Sequence, residues 1–121
     1  MKKILIIEDE VVLAEMYKEK LEKEGFGVFL ASEIGGGIEI AKKEKPDLIL
    51  LDVLLPRENG VSFLEKIKNE EEIKSIPVIV FSNYDDPQTK KKAFELGVKE
   101  YLIKANYTPG EIVEKIKKYL K

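Results

Sequence analysis

The sequence contains no cysteine and no histidine. Without cysteine, the chain can form no disulfide bond and offers neither a thiolate nucleophile nor a cysteine-bound zinc site. Without histidine, it has no imidazole general base and cannot carry a phosphohistidine of its own. If the protein takes part in phosphoryl transfer, the phosphoryl donor must therefore be another molecule.

Long apolar segments are also missing. The longest uninterrupted apolar runs, such as Ile4 to Ile7 and Leu48 to Leu51, are far shorter than the roughly 20 residues of a membrane-spanning helix. No signal-peptide pattern precedes the first apolar run. We therefore expect a cytoplasmic protein that makes no contact with a membrane.

The chain has 121 residues, of which 21 are basic and 23 acidic. This length is typical of one domain, which we expect to span residues 1–121. The near balance of charge excludes a disordered acidic tail and a strongly basic nucleic-acid binder. Among the acids, Asp is rare, and because Asp favours caps, turns and sites over helix interiors, its positions are informative. The aspartates are Asp9, Asp47, Asp52, Asp85 and Asp86.

Apolar runs alternate with segments of helical periodicity. Between the runs, apolar residues recur at spacings of three and four, which is typical of helices that bury one face. The runs themselves are typical of parallel strands buried on both faces. Five strands, each followed by a helix, predict an α/β fold with a parallel sheet and helices on both of its faces. The runs are Ile4–Ile7, Val28–Leu30, Leu48–Leu51, Val78–Phe81 and Tyr101–Ile103.

Local signals mark the starts of two helices and weaken the start of a third. The segment from Thr108 to Glu111 is a capping box with proline at the first helical position, and Asp86 followed by Pro87 begins the preceding helix in the same way. Glycines occupy positions 35 to 37 and weaken the start of the second helix, so we expect a loop there.

Polar side chains follow four of the predicted strands. Glu8 and Asp9 follow the first, Asp52 the third, Ser82 the fourth and Lys104 the fifth. We expect them to converge, because the carboxyl ends of parallel strands meet at one edge of the sheet, where such folds bind ligands. Three carboxylates this close repel one another and lose hydration, which costs stability unless positive charge compensates. Lys104 and a cation that prefers oxygen ligands, such as Mg²⁺, would supply that charge.

Elimination indicates which residue reacts. A carboxylate is the strongest nucleophile at this edge, because Ser82 has no base to activate it, and Asp can attack phosphorus to form an acyl phosphate. Glu8 and Asp9 are adjacent and suited to hold the metal, which leaves Asp52 as the predicted nucleophile. The metal, Ser82 and Lys104 would neutralise the phosphoryl oxygens.

At these residues the chain resembles the receiver domain of two-component response regulators, and the resemblance extends from Lys2 to Leu120. Each piece is weak alone, but together they are specific. The matching pieces are the acidic pair within Ile6–Glu10, the segment Pro46–Pro56 with Gly60 beyond it, Ser82, and Tyr101–Lys104.

The resemblance implies a flavodoxin-like, doubly wound sheet of order 2-1-3-4-5 in a three-layer α/β/α arrangement with five helices. It implies that Asp52 is the phosphoacceptor, that Ser82 and Lys104 contact the phosphoryl oxygens, and that Ser82 and Tyr101 form a switch. It further implies a Mg²⁺ cofactor bound by Glu8, Asp9, Asp52 and the backbone carbonyl of Leu54.

The same resemblance implies the partners. The phosphoryl donor would be a sensor histidine kinase or a phosphotransfer protein, and a downstream effector protein would bind the surface of the fourth helix, fifth strand and fifth helix. We expect no direct nucleic-acid binding, no output domain, and a monomer or a phosphorylation-dependent dimer. The domain would catalyse its own phosphorylation and dephosphorylation without being a conventional enzyme.

Three residues depart from the family pattern. Ala105 stands where proline is usual after the lysine, so we expect the backbone there to differ. Asn83 and Tyr84 are larger than is common and are expected to shield the phosphoryl group.

The alternative function is an adaptor of the same fold that signals without phosphorylation. Two enzyme classes fit less well: haloacid-dehalogenase-type phosphatases have a second Asp where this chain has Leu54, and the acidic pair would repel a flavin phosphate.

Overall fold

The computed structural model describes residues 1–55 and 58–120. Pro56, part of the predicted family pattern, and Lys121, the last residue of the expected domain, lie outside the described residues.

Strands and helices alternate as the apolar periodicity predicts. The strands are β1 (Lys3–Ile7), β2 (Gly27–Ala31), β3 (Leu48–Leu51), β4 (Val78–Ser82) and β5 (Glu100–Ile103). The helices are α1 (Val11–Lys23), α2 (Ile34–Glu44), α3 (Gly60–Lys68), α4 (Pro87–Glu95) and α5 (Pro109–Tyr119). A short 3₁₀ helix, Lys104–Asn106, connects β5 to α5.

The five strands form one parallel sheet in the order β2-β1-β3-β4-β5. The register aligns the strand ends: Ile7 at the end of β1 pairs with Leu51 at the end of β3, and Ser82 at the end of β4 pairs with Ile103 at the end of β5. The predicted fold class and strand order are confirmed. The residues that follow these strands consequently share one edge.

Alternate strand residues face two hydrophobic cores, which is why each strand contains a continuous apolar run. Leu5 and Ile7 pack with residues of α2, α3 and α4 on one face of the sheet. Ile4 and Ile6 pack with residues of α1 and α5 on the other. The result is the three-layer arrangement that the resemblance implied.

Capping residues fix the starts of α4 and α5 as predicted. The Thr108 hydroxyl accepts a hydrogen bond from the Glu111 backbone N–H at 3.2 Å, and the Glu111 carboxylate accepts one from the Thr108 N–H at 2.8 Å. Asp86 caps α4 by accepting from the Thr89 N–H at 2.9 Å.

The loop expected at the three consecutive glycines is wrong. α2 begins at Ile34, and Gly37 already donates its N–H to the Glu33 carbonyl in a helical hydrogen bond of 3.0 Å. Packing explains the glycine at 37, because a Cβ atom there would lie 2.6 Å from Cδ1 of the buried Ile7. A close approach of α2 to β1 therefore outweighs the poor helix propensity of glycine.

No helix in the described part of the chain is long and apolar enough to cross a membrane.

Candidate functional site

Three carboxylates meet at the carboxyl edge of the sheet. Backbone hydrogen bonds extend the pairing beyond the strands, from the Glu8 N–H to the Ala31 carbonyl at 2.9 Å and from the Asp52 N–H to the Ile7 carbonyl at 3.0 Å. Glu8, Asp9 and Asp52 each place one carboxylate oxygen within 4.8 Å of the others. Glu8 and Asp52 are each only 6% exposed, whereas Asp9 is partly exposed. The sheet thus holds three negative charges together, with those of Glu8 and Asp52 largely out of bulk water.

The ammonium of Lys104 lies between the two buried carboxylates. Its Nζ is 2.8 Å from Oδ2 of Asp52 and 2.5 Å from Oε1 of Glu8, and the side chain is 10% exposed. A third carboxylate, that of Glu10, lies 3.5 Å away. The sequence indicated Glu10 only as part of an acidic run. One buried cation therefore compensates part of the clustered negative charge.

Burial and the neighbouring charges shift two pKa values in the cluster. Burial raises the pKa of Glu8, and the Asp52 charge adds to this, while the hydrogen bond from Lys104 opposes it. Burial alone would lower the pKa of Lys104, but its hydrogen bonds to Asp52 and Glu8 outweigh burial, so the pKa rises above the ordinary 10.5. Lys104 therefore remains a cation at neutral pH.

The Asp52 carboxylate is held at both oxygens. Its Oδ1 accepts a hydrogen bond from the Leu54 backbone N–H at 2.8 Å, and its Oδ2 accepts the one from Lys104. Two donors in fixed positions restrict the rotation of the carboxylate. The Leu54 N–H is thus a contact that the sequence did not indicate, whereas the metal-binding role of the Leu54 carbonyl stays a prediction.

The two residues expected to form a switch both contact Tyr84. Ser82 is fully buried, and its hydroxyl oxygen accepts a hydrogen bond from the Tyr84 N–H at 3.2 Å. The Tyr101 hydroxyl donates to the Tyr84 carbonyl at 2.6 Å. Burial, and then the negative charges of Asp52 and Asp86, raise the pKa of Tyr101 to about 12, so the hydroxyl remains a donor at neutral pH.

The backbone after Lys104 forms a 3₁₀ turn, and all peptide bonds in residues 1–55 and 58–120 are trans. The Ala105 N–H donates to the side-chain Oδ1 of Asn83 at 3.0 Å. A proline at position 105 could not make this hydrogen bond because it has no N–H. The sequence placed both residues near the site, but no sequence signal indicated that they bind each other.

The donor set fits a hard divalent cation. Carboxylate oxygens are the ligands that Mg²⁺ and Ca²⁺ prefer, and Asp9 leaves one side of the cluster open to solvent. Mg²⁺ is the better match where phosphate is present, because it is bound through one or two carboxylates together with phosphate oxygens and water.

Comparisons with known proteins agree with this geometry. Residues 4–117 match the family model of the response regulator receiver domain. The phosphate regulon transcriptional regulatory protein PhoB of Escherichia coli is 32% identical over 96% of this chain and 50% of its own length. The transcriptional regulatory protein CrdR of Helicobacter pylori is 38% identical over 98% of this chain and 54% of its own length. The chain thus spans about half the length of these relatives.

A solved structure shows the same architecture. The CheY-like response regulator receiver domain protein of Methanospirillum hungatei superposes with a TM-score of 0.91 at 29% identity, covering 99% of this chain and 94% of that one. With the family model matching nearly the whole chain, the protein belongs to the receiver domain family of two-component response regulators.

Proposed function

We propose that Asp52 accepts a phosphoryl group from a phosphohistidine on a partner protein. The observation that carries the proposal is the environment of this carboxylate. It is buried, is oriented by the Leu54 N–H and lies 2.8 Å from a buried ammonium at the edge where two other carboxylates converge. A carboxylate so oriented is suited to attack phosphorus with little reorganisation.

In the proposed transfer, the phosphoryl group moves from a histidine nitrogen of the partner to a carboxylate oxygen of Asp52. A carboxylate oxygen of Asp52 forms a bond to phosphorus, and the P–N bond of the donor phosphohistidine breaks. The electron pair of that bond stays on the imidazole nitrogen, which takes a proton from water. The ammonium of Lys104 stabilises the negative charge on the transferring group, and the transfer requires no base from this chain.

Glu8, Asp9 and Asp52 would hold Mg²⁺, with the Leu54 carbonyl as the remaining protein ligand in our proposal. When bound, the metal would neutralise oxygens of the transferring phosphoryl group. Such a site also explains why the chain tolerates three clustered carboxylates with one buried cation beside them.

Ser82 and Tyr101 would transmit the change of charge at Asp52. An acyl phosphate carries about two negative charges where the carboxylate carries one, and its oxygens would accept a hydrogen bond from the Ser82 hydroxyl. Because the same hydroxyl oxygen accepts a hydrogen bond from the Tyr84 N–H, movement of Ser82 toward the phosphoryl group would draw the loop at Tyr84 with it. Movement of this loop would reach Tyr101 through its hydrogen bond to the Tyr84 carbonyl. The surface of α4, β5 and α5 would then change its affinity for an effector protein.

Phosphorylation by a small donor tests the proposal. With Mg²⁺ and acetyl phosphate, we expect the mass of the protein to rise by about 80 Da, the mass of one phosphoryl group. The Asp52→Asn variant should not gain this mass, because the amide is not a competent nucleophile.

A second variant serves as the matched control. Asp47→Asn lies at the opposite end of β3, where the carboxylate accepts a hydrogen bond from the Lys3 N–H at 2.8 Å, and it should be phosphorylated like the wild type. A wild-type protein that gains no mass would contradict the proposal and favour the adaptor alternative.

A further inference from the structure

Three consecutive residues at the end of β4 and in the connection to α4 take part in hydrogen bonds. They are Ser82, Asn83 and Tyr84. Ser82 and Tyr84 bind each other, and Tyr84 accepts from Tyr101. Between them, Asn83 reaches across to the connection after β5, where its Oδ1 accepts the Ala105 N–H at 3.0 Å. This last contact lies beside Lys104, and neither the proposed transfer nor the switch uses it.

The sheet does not hold Lys104 in place. Pairing between β4 and β5 ends at Ser82 and Ile103, so Lys104 is the first residue beyond the ladder. The next backbone contact is a long turn hydrogen bond of 3.3 Å from the Tyr107 N–H to the Lys104 carbonyl. The 3₁₀ helix that starts at Lys104 has only three residues and supplies little rigidity of its own.

The hydrogen bond from Ala105 acts on the backbone of Lys104 directly. The peptide unit that donates this N–H also contains the Lys104 carbonyl carbon, and it is planar. Restricting the direction of the N–H therefore restricts the ψ angle of Lys104. The side chain of Lys104 leaves from the Cα atom next to this peptide. A change in ψ would therefore shift the ammonium relative to Glu8 and Asp52.

We propose that Asn83 is a positioning residue for Lys104, holding its ammonium against the phosphoacceptor by binding the Ala105 N–H. The inference rests on the proposed function, because the effect it predicts is on the rate at which Asp52 takes up a phosphoryl group. It replaces the expectation that Asn83 merely shields the site. If Asn83 only shields the site, removing its side chain should speed up phosphorylation. If Asn83 positions Lys104, removing its side chain should slow phosphorylation.

Two substitutions separate these roles. Asn83→Ala removes both the acceptor and the bulk, and Asn83→Leu removes the acceptor while keeping a side chain of similar branching. The measurement is the initial rate of mass gain with acetyl phosphate at saturating Mg²⁺. We expect both variants to be slower than the wild type by roughly fivefold, which corresponds to one hydrogen bond of ordinary strength.

Two further readouts distinguish positioning from a general loss of structure. The Mg²⁺ concentration for half-maximal rate should stay within about twofold of the wild type, because Glu8, Asp9 and Asp52 follow other strands. Amide hydrogen exchange at Ala105 should accelerate in both variants. The matched control is Asn69→Ala, which removes an exposed side-chain hydrogen bond to the Glu65 carbonyl far along the chain and should leave all three quantities unchanged.

The outcomes are distinguishable from failure of the proposed function, which would appear as no mass gain in the wild type. If the wild type reacts and Asn83→Ala is as fast or faster, the positioning role is wrong. A loss confined to Asn83→Leu would likewise overturn it and indicate steric blockage. A parallel rise in the Mg²⁺ requirement of both variants would show that the substitutions disturb the whole site, and it would overturn the specific role at Lys104.

Discussion

At the scale of single residues, Lys104 carries the main electrostatic compensation of the site. Its Nζ contacts two carboxylates that are each 6% exposed, and the lysine itself is 10% exposed in its side chain. Charges removed from water in this way are costly unless they are paired. The lysine therefore contributes to folding as well as to the proposed chemistry.

Replacing Lys104 with methionine should destabilise the metal-free protein. The substitution keeps most of the apolar stem but leaves Glu8 and Asp52 buried without their shared cation. We expect the free energy of unfolding to fall by about 3 kcal/mol, the usual result of removing one partner of a buried ion pair. Urea denaturation at neutral pH measures the change.

The control for that substitution is Lys99→Met, since Lys99 is exposed, and it should change stability by less than about 0.5 kcal/mol. Adding Asp52→Asn to Lys104→Met should recover part of the loss because it removes one of the unpaired charges. Equal stability of Lys104→Met and the wild type would contradict this account.

The sequence was informative about residues whose chemical type is unusual for their position. Acidic and basic residues directly after buried strands stand out, and the structure brings Glu8, Asp9, Asp52 and Lys104 together. The bond from Ala105 to Asn83 could not be predicted, because it joins residues 22 positions apart through a backbone N–H that every non-proline residue carries.

At the scale of elements, α2 shows where local propensity and packing conflict. Glycine favours loops, and three in succession predicted one, yet the segment is helical. The reason lies across the structure at Ile7, whose Cδ1 occupies the space that a Cβ atom on Gly37 would need. Strand and helix periodicity could be read from the sequence, whereas this requirement depends on which helix lies over which strand.

Alanine substitutions in α2 should therefore have opposite effects. A Cβ atom at Gly35 meets nothing within 4 Å, so Gly35→Ala should stabilise the protein by about 0.7 kcal/mol through higher helix propensity. At Gly37 the same gain is outweighed by the clash with Ile7, and Gly37→Ala should destabilise by about 1 kcal/mol net. Urea denaturation of both variants measures the difference.

A double mutant tests whether the clash with Ile7 causes the loss of stability in Gly37→Ala. Ile7→Val removes the Cδ1 atom that a new Cβ at Gly37 would meet, so it should cost less in the Gly37→Ala background than in the wild type. Equal costs in both backgrounds would show that the penalty at Gly37 has another origin.

At the scale of the whole molecule, the net charge of −2 conceals an uneven distribution. Charged residues of both signs are spread over the exposed faces of the helices and over the loops, whereas three carboxylates gather at one edge of the sheet. The parallel topology produces this gathering, because it brings the carboxyl ends of β1 and β3 to one level. The fold could be predicted from the sequence because each strand contains a short apolar run that alternates with a helical segment. The location of the clustered charge then followed from the fold.

The stability of the whole domain should therefore depend on divalent metal. A cation that binds the folded cluster and not the unfolded chain stabilises the fold by about 1.4 kcal/mol when its concentration is ten times the dissociation constant. We expect MgCl₂ to raise the melting temperature by about 5 °C under these conditions, whereas NaCl of equal ionic strength should not. Asp9→Asn removes one predicted ligand and one negative charge, so it should stabilise the metal-free protein and weaken its response to Mg²⁺. If NaCl reproduced the whole shift, general screening rather than a metal site would account for it.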